Sequence, residues 1–132
     1  MVATSLVDRD IKDGETLIRQ LDRDRFPVIA AFWFYYSEWE KWALVIGTSL
    51  IDKEGPLEAY RRLAKIMKKI KQSSKKQFTL ESSRVELVKE KSHLPISLRK
   101  VINTGPGIAG IRFTNNSING TYVEDAYIYR VN

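Results

Sequence analysis

Apolar residues in this chain recur at three- and four-residue steps in two stretches and crowd into short unbroken runs in several others. From Asp8 to Asp24, Ile11, Ile18 and Leu21 fall with Leu17 into a stripe at helical spacing. Acids gather at its start, where the helix dipole favours them. Gly14 in the middle of this stretch weakens the case for a helix. Phe26-Pro27 closes it, because the residue before a proline is driven out of helical geometry. Val28 to Tyr36 reads as a strand that is apolar on both faces, which places it in the middle of a sheet. Ser37-Glu38 forms a short link, and Trp39 to Thr48 a second strand, so the two make an antiparallel hairpin. Asp52 to Gly55 reads as a loop, and Pro56 suits the first turn of a helix.

Leu57 to Gln72 carries the clearest helical period. Leu57, Tyr60, Leu63, Ala64, Met67 and Ile70 fall on one face, and Arg61, Arg62, Lys65, Lys68, Lys69 and Gln72 on the other. Phe78 to Lys89 has the residue types of a third strand. Ser92 suits the cap of a short helix from Leu94 to Asn103, with Pro95 in its first turn and Leu94, Leu98, Val101 and Ile102 facing inward. Gly105-Pro106-Gly107 stops it. Ile108 to Thr114 and Thr121 to Val131 are two final strands. Asn115-Asn116 and Asn119-Gly120 both suit the turn between them. The order α-β-β-α-β-α-β-β predicts a single α+β domain over residues 1–132. Its mostly antiparallel five-stranded sheet carries helices packed on it.

Composition narrows the chemistry. The chain has 132 residues and a formal net charge of +6. Without cysteine there is no disulfide, thiolate metal site, iron–sulfur cluster or cysteine nucleophile. With His93 as its one histidine it cannot build a two-histidine metal site. No metal or cofactor is expected. The N-terminus lacks the basic and apolar regions of a secretory signal. The longest near-apolar run, Phe26 to Tyr36, is far short of the ~20 residues a membrane-spanning helix needs. A cytoplasmic protein without membrane contact is expected.

Charge is unevenly placed. Residues 1–60 hold 7 basic and 11 acidic residues, and residues 61–132 hold 15 and 5. Between Arg61 and Lys76 stand Arg61, Arg62, Lys65, Lys68, Lys69, Lys71, Lys75 and Lys76 without one acid. Like charges this close repel, which points either to a solvated helix face or to a surface that meets a polyanion.

Phe32, Trp33, Phe34, Tyr35, Tyr36, Trp39 and Trp42 lie within eleven residues and include every tryptophan. Such a cluster can fill a core, anchor a homodimer or other partner, or stack on unpaired bases. Gly105-Pro106-Gly107-Ile108-Ala109-Gly110 matches G-x-G-x-x-G, but a helix precedes it and β-type residues follow, the reverse of a dinucleotide site. Glu124 and Asp125 are neighbours on a predicted strand, so they should point to opposite faces and make a poor carboxylate pair.

Thr104-Gly105-Pro106-Gly107-Ile108, Ile118-Asn119-Gly120 with Glu124 to Arg130, and Gly55 to Arg62 resemble segments of a set of small bacterial proteins with no assigned function. The resemblance implies a bacterial, single-domain protein and brings no activity, cofactor or site residue with it.

Two readings of function follow. In the first, the chain is a non-enzymatic binding module. It associates with itself and engages nucleic acid or an acidic protein through Arg61, Arg62, Lys65, Lys68, Lys69 and Lys76, with Trp33, Tyr35 or Trp39 as stacking residues. In the second, it is a metal-independent ribonuclease of the bacterial toxin type, with His93, Arg112, Tyr127 and Tyr129 as the residues to test.

Overall fold

The computed structural model describes residues 5–74 and 77–132. Helix α1 spans Asp8–Arg23, and strands β1 (Ala30–Tyr36) and β2 (Lys41–Thr48) form the expected hairpin. A short helix α2 (Leu50–Glu54) leads into the long helix α3 (Pro56–Ser74). A single 3-10 turn at Ser82–Arg84 opens β3 (Val85–Lys89), and α4 (His93–Arg99) precedes the closing hairpin of β4 (Ile111–Ile118) and β5 (Thr121–Val131). The sheet order is β3-β2-β1-β5-β4. Three of its pairings are antiparallel, and β2 with β3 is parallel. A parallel neighbour needs a crossover that returns the chain to the same end. α2 and α3 supply it.

β1 sits at the centre of the sheet, and both of its faces are covered. On one face Ala31, Trp33, Leu44, Ile46 and Leu87 meet Leu17, Ile18 and Leu21 of α1 and Leu63, Ile66, Met67 and Ile70 of α3. On the other, Ala30, Phe32, Phe34, Val45, Ala126 and Ile128 are closed over by Leu98 of α4 and by Ile118 and Val123 near the tip of the β4–β5 hairpin. The aromatic run of β1 is therefore interior on both sides, as its lack of alternation predicts.

Gly14 has a packing reason. A Cβ built on it would lie 2.3 Å from the Tyr129 hydroxyl oxygen and 2.9 Å from Trp33 Nε1. α1 can approach the sheet this closely only with glycine there. At the far end of the chain Arg130 is buried, with its guanidinium forked onto Asp22 at 3.0 and 2.8 Å. It also donates to the carbonyls of Val28 and Gly107.

Several expectations need correction. The link between β1 and β2 is the turn 37–40, closed by Trp39 N–H to Tyr36 C=O at 3.1 Å, so Trp39 stands on a turn and not in a strand. Leu50–Glu54 is helical, so most of the loop expected over Asp52 to Gly55 belongs to a helix that Gly55 ends. β3 begins at Val85, not Phe78, and α4 ends at Arg99. The buried stripe of α3 is Ala59, Leu63, Ile66, Met67 and Ile70, whereas Leu57, Tyr60 and Ala64 are exposed. The stripe is rotated because α3 lies over the β2–β3 side of the sheet and tips its Tyr60 edge outward. Asn119-Gly120 makes the final hairpin turn with φ of 50° and 83°, the two left-handed residues of a type I′ turn. Asn115 stays in β4, also left-handed at φ 48°. Among the described residues no helix is long and apolar enough to cross a membrane.

Candidate nucleic-acid interface

Burial of one stripe of α3 leaves Arg61, Arg62, Lys65, Lys68 and Lys69 exposed. Acids of α3 itself and of other segments answer some of them. Arg61 donates to Glu58 at 2.8 Å, and Arg62 lies 3.0 Å from Glu54 and 3.7 Å from Glu58. Lys69 bonds both oxygens of Asp24, at 3.0 and 3.1 Å, and this ammonium holds the Asp24 carboxyl below its ordinary pKa. Lys71 reaches Glu81 at 3.0 Å. Among the described residues Lys65 and Lys68 make no ion pair. These contacts are solvent-facing, and such pairs contribute only about 0–1 kcal/mol. A phosphate can therefore replace the carboxylates at little loss.

The helix is flanked by hollows. One, of about 410 Å³, lies among Asp24, Arg62, Lys65, Ile66 and Lys69. On the opposite flank a second, of about 340 Å³, lies between Ala64, Met67, Lys68 and Lys71 of α3 and the segment Glu81 to Ser83. Ser83 also lines a third, of about 300 Å³, whose walls include Tyr36, Trp39, Lys41, Tyr60, Arg84 and Glu86. The second and third hollows thus meet at Ser83 and follow the same edge of α3.

The aromatic end of this pair of hollows is held by specific bonds. Trp39 is 67% exposed, and its ring centre is 5.3 Å from that of Tyr36. The Tyr36 hydroxyl donates to Glu86 at 2.7 Å. Burial, with Glu86 adding to it, pushes the Tyr36 phenol well above its ordinary value. The Tyr60 hydroxyl accepts the outward Leu87 N–H at 2.9 Å and so closes the centre of the free edge of β3. Arg84 forks onto Asp10 at 2.8 and 3.3 Å and lies over the Trp33 ring, 4.8 Å from its centre.

Of the stacking residues read from the sequence, the structure offers Trp39 alone. Trp33 is wholly buried and donates its Nε1–H to the Tyr129 hydroxyl at 3.0 Å. Tyr35 is 7% exposed and packs on Trp42 at 5.4 Å. Neither has an open ring face, because both lie on a strand covered by helices. Lys76 lies outside the described residues. Lys41, Tyr60 and Ser83 line these hollows, yet the sequence reading passed over them. Lys41 sits opposite Tyr36 in the hairpin register, and Tyr60 looks like one more core position on an amphipathic helix.

Of the four residues considered for RNA cleavage, the structure brings Arg112, Tyr127 and Tyr129 together and leaves His93 apart: Arg112 faces Tyr127 across the β4–β5 pair, and the Tyr127 and Tyr129 ring centres are 5.3 Å apart. His93 shares a hydrogen bond with Thr121 at the hairpin tip. Tyr127 is six residues farther along β5, or roughly 20 Å at strand rise. Arg112 is forked onto Asp125 by two bonds of 2.7 Å. The Tyr129 hydroxyl is inside the core, donating to the Ile11 carbonyl at 2.5 Å. Glu124 and Asp125 line one hollow of about 380 Å³ together with Tyr35, Trp42 and Arg112, contrary to the strand expectation. Left-handed Asn115, across from Glu124, interrupts the β4–β5 pairing there. Burial, then Glu40 and Glu124, raise the Tyr35 phenol's pKa.

Gly105 to Gly110 is no phosphate cradle. It runs beside β5, with Ala109 N–H on the Tyr129 carbonyl at 2.6 Å and Gly105 N–H on the Asn103 side chain at 2.9 Å. Comparison with known protein families, with curated proteins and with solved structures yields no match to this chain.

Proposed function

We propose that this protein is a non-enzymatic binding module that engages nucleic acid through the exposed basic face of α3. The observation that carries this reading is the pair Lys65 and Lys68. They are exposed and without an ion pair among the described residues, and they sit in a row of cations whose other members hold only surface carboxylates. Backbone phosphates fit such a row. Contacts of this kind displace condensed counterions, so affinity falls steeply with salt and depends little on sequence.

The test is the triple variant Lys65→Glu, Lys68→Glu, Lys69→Glu, titrated with labelled RNA and DNA by anisotropy at several salt concentrations. Binding should be lost, and each cation that contacts a phosphate should account for roughly one unit of the log–log salt slope. Unchanged affinity in the triple variant would refute the reading.

Self-association is read onto the outer edge of β4. That strand carries no lysine or proline, and Arg112 is its one charged residue, already paired with Asp125. Before the irregularity at Asn115, the stretch Ile111 to Thr114 is a template on which a second copy can pair. Sedimentation velocity over a wide concentration range checks it, and a monomer throughout would exclude it.

A further inference from the structure

We propose that the groove running from Lys68 past Ser83 to Trp39 is a binding site for a short unpaired stretch of nucleic acid, with the sugar–phosphate backbone along α3 and a base stacked on Trp39. This rests on the reading of α3 as a polyanion-binding helix and adds which form of nucleic acid it takes.

Three observations converge. Tyr60, Ala64, Lys68 and Lys71 recur at four- and three-residue steps, so one edge of α3 supplies a wall to both hollows. From Tyr60 to Lys71 that wall is about 17 Å long at helical rise. Its two ends differ in character. Lys68 and Lys71 mark a cationic end, where Lys71 holds only the exposed Glu81. Trp39 marks an aromatic end, braced from behind by Tyr36 and attended by Lys41. The Glu86 carboxylate accepts from the Tyr36 hydroxyl and keeps its charge, and Glu38 and Glu40 stand exposed beside Trp39, so this end offers a stacking face and the phosphate contacts fall to Lys68 and Lys71.

A charged track ending in an open aromatic face is the arrangement that holds single strands, because every base has a π-face to stack and every link has a phosphate. A duplex has its bases already stacked and gains nothing from the indole. The three tryptophans also separate cleanly. Trp33 and Trp42 are buried at 0% and 4% exposure, so quenching by a ligand reports on Trp39.

The experiment titrates the full chain with an oligo-dT about a dozen nucleotides long, within the usual site size of single-strand grooves, and with a duplex of the same length. Anisotropy and tryptophan emission are followed together. The single strand should quench emission. Trp39→Ala should weaken single-strand binding by about 5- to 150-fold, the range for loss of one base stack, and leave duplex affinity unchanged. Trp39→Phe should recover part of the loss, which a general disturbance of the turn would not allow. If Trp39→Ala leaves single-strand affinity unchanged while the α3 charge reversals abolish binding, the groove proposal fails and the helix reading stands. If neither nucleic acid binds at low salt, both fail.

Discussion

Trp33 and Trp39 are six positions apart in one aromatic run, and the structure uses them in opposite ways. Trp33 lies at the centre of the sheet with no exposed surface, its indole N–H bonded to Tyr129, with Arg84 over its ring and Gly14 of α1 pressed against it. Trp39 lies beyond the end of β1, on the turn 37–40, with one ring neighbour and two thirds of its surface open. The same chemistry stabilises the fold at one place and remains available to a ligand at the other. What separates them is the end of the strand. Pleated backbone between covered faces leaves an aromatic ring no outside position, whereas a turn releases it. Composition cannot see this boundary, because it counts both residues as one cluster.

Gly14→Ala breaks the buried half of this contrast most severely. In an exposed helix the change would stabilise by about 1 kcal/mol. Here the new methyl meets the Tyr129 hydroxyl oxygen at 2.3 Å and its ring carbon at 2.8 Å, against side chains that are fixed by hydrogen bonds and have no room to retreat. The sign should invert, with a loss of about 3 kcal/mol, the upper part of the usual range for overpacking. Urea unfolding with unchanged m-value measures it. A neutral or stabilising result would mean that α1 does not sit this close to the sheet.

Tyr129→Phe comes next. It removes the acceptor of the Trp33 N–H and leaves that donor buried without a partner, at a loss of about 1–3 kcal/mol. It also tests a pH dependence. Burial raises the Tyr129 phenol's pKa, and burial with the Glu86 bond raises that of Tyr36. A phenol ionises near 10 in the unfolded chain. Above that pH the unfolded state gives up its proton while the folded state keeps it, so stability is complete below about pH 10 and declines above it. Tyr129→Phe should make this alkaline decline shallower, and adding Tyr36→Phe should flatten it further. Unfolding midpoints on either side of about pH 10 decide, and a decline equally steep in both variants would rule these phenols out as its cause.

Much of the architecture was legible because it follows from short-range rules. The acid-rich start of α1, the proline-opened α3, the unalternating β1 and the Asn-Gly of the last hairpin each carry a local physical signature. What escaped depends on contacts distant in sequence. Gly14 looked like a flaw in a helix until Tyr129 and Trp33, far along the chain, were brought against it. The parallel β2–β3 pair depends on where α3 lands, and this same placement rotates its buried stripe by moving Tyr60 outward. The candidate site was half visible. Its cations could be read from the helical period, but its aromatic end was assigned to Trp33 and Tyr35, which the strand conceals. The carboxylates that answer Arg61, Arg62, Lys69 and Lys71 come partly from other segments, so the bare charge count overstated the free basic face.

The smallest effect belongs to Trp39 in the absence of ligand, and its smallness is what sharpens the comparison. An exposed turn residue with a single ring contact contributes little to folding, so Trp39→Ala should change stability by no more than about 0.5 kcal/mol. Its optical effect should be large by contrast. In the native protein acrylamide should reach one tryptophan readily and leave two shielded, since Trp33 and Trp42 are 0% and 4% exposed. Trp39→Phe should remove the accessible component and leave an emission that acrylamide barely quenches until the chain unfolds. A stability loss for Trp39→Ala as large as that of Tyr129→Phe, or strong residual quenching in folded Trp39→Phe, would show that the two tryptophan environments are not as different as strand and turn require.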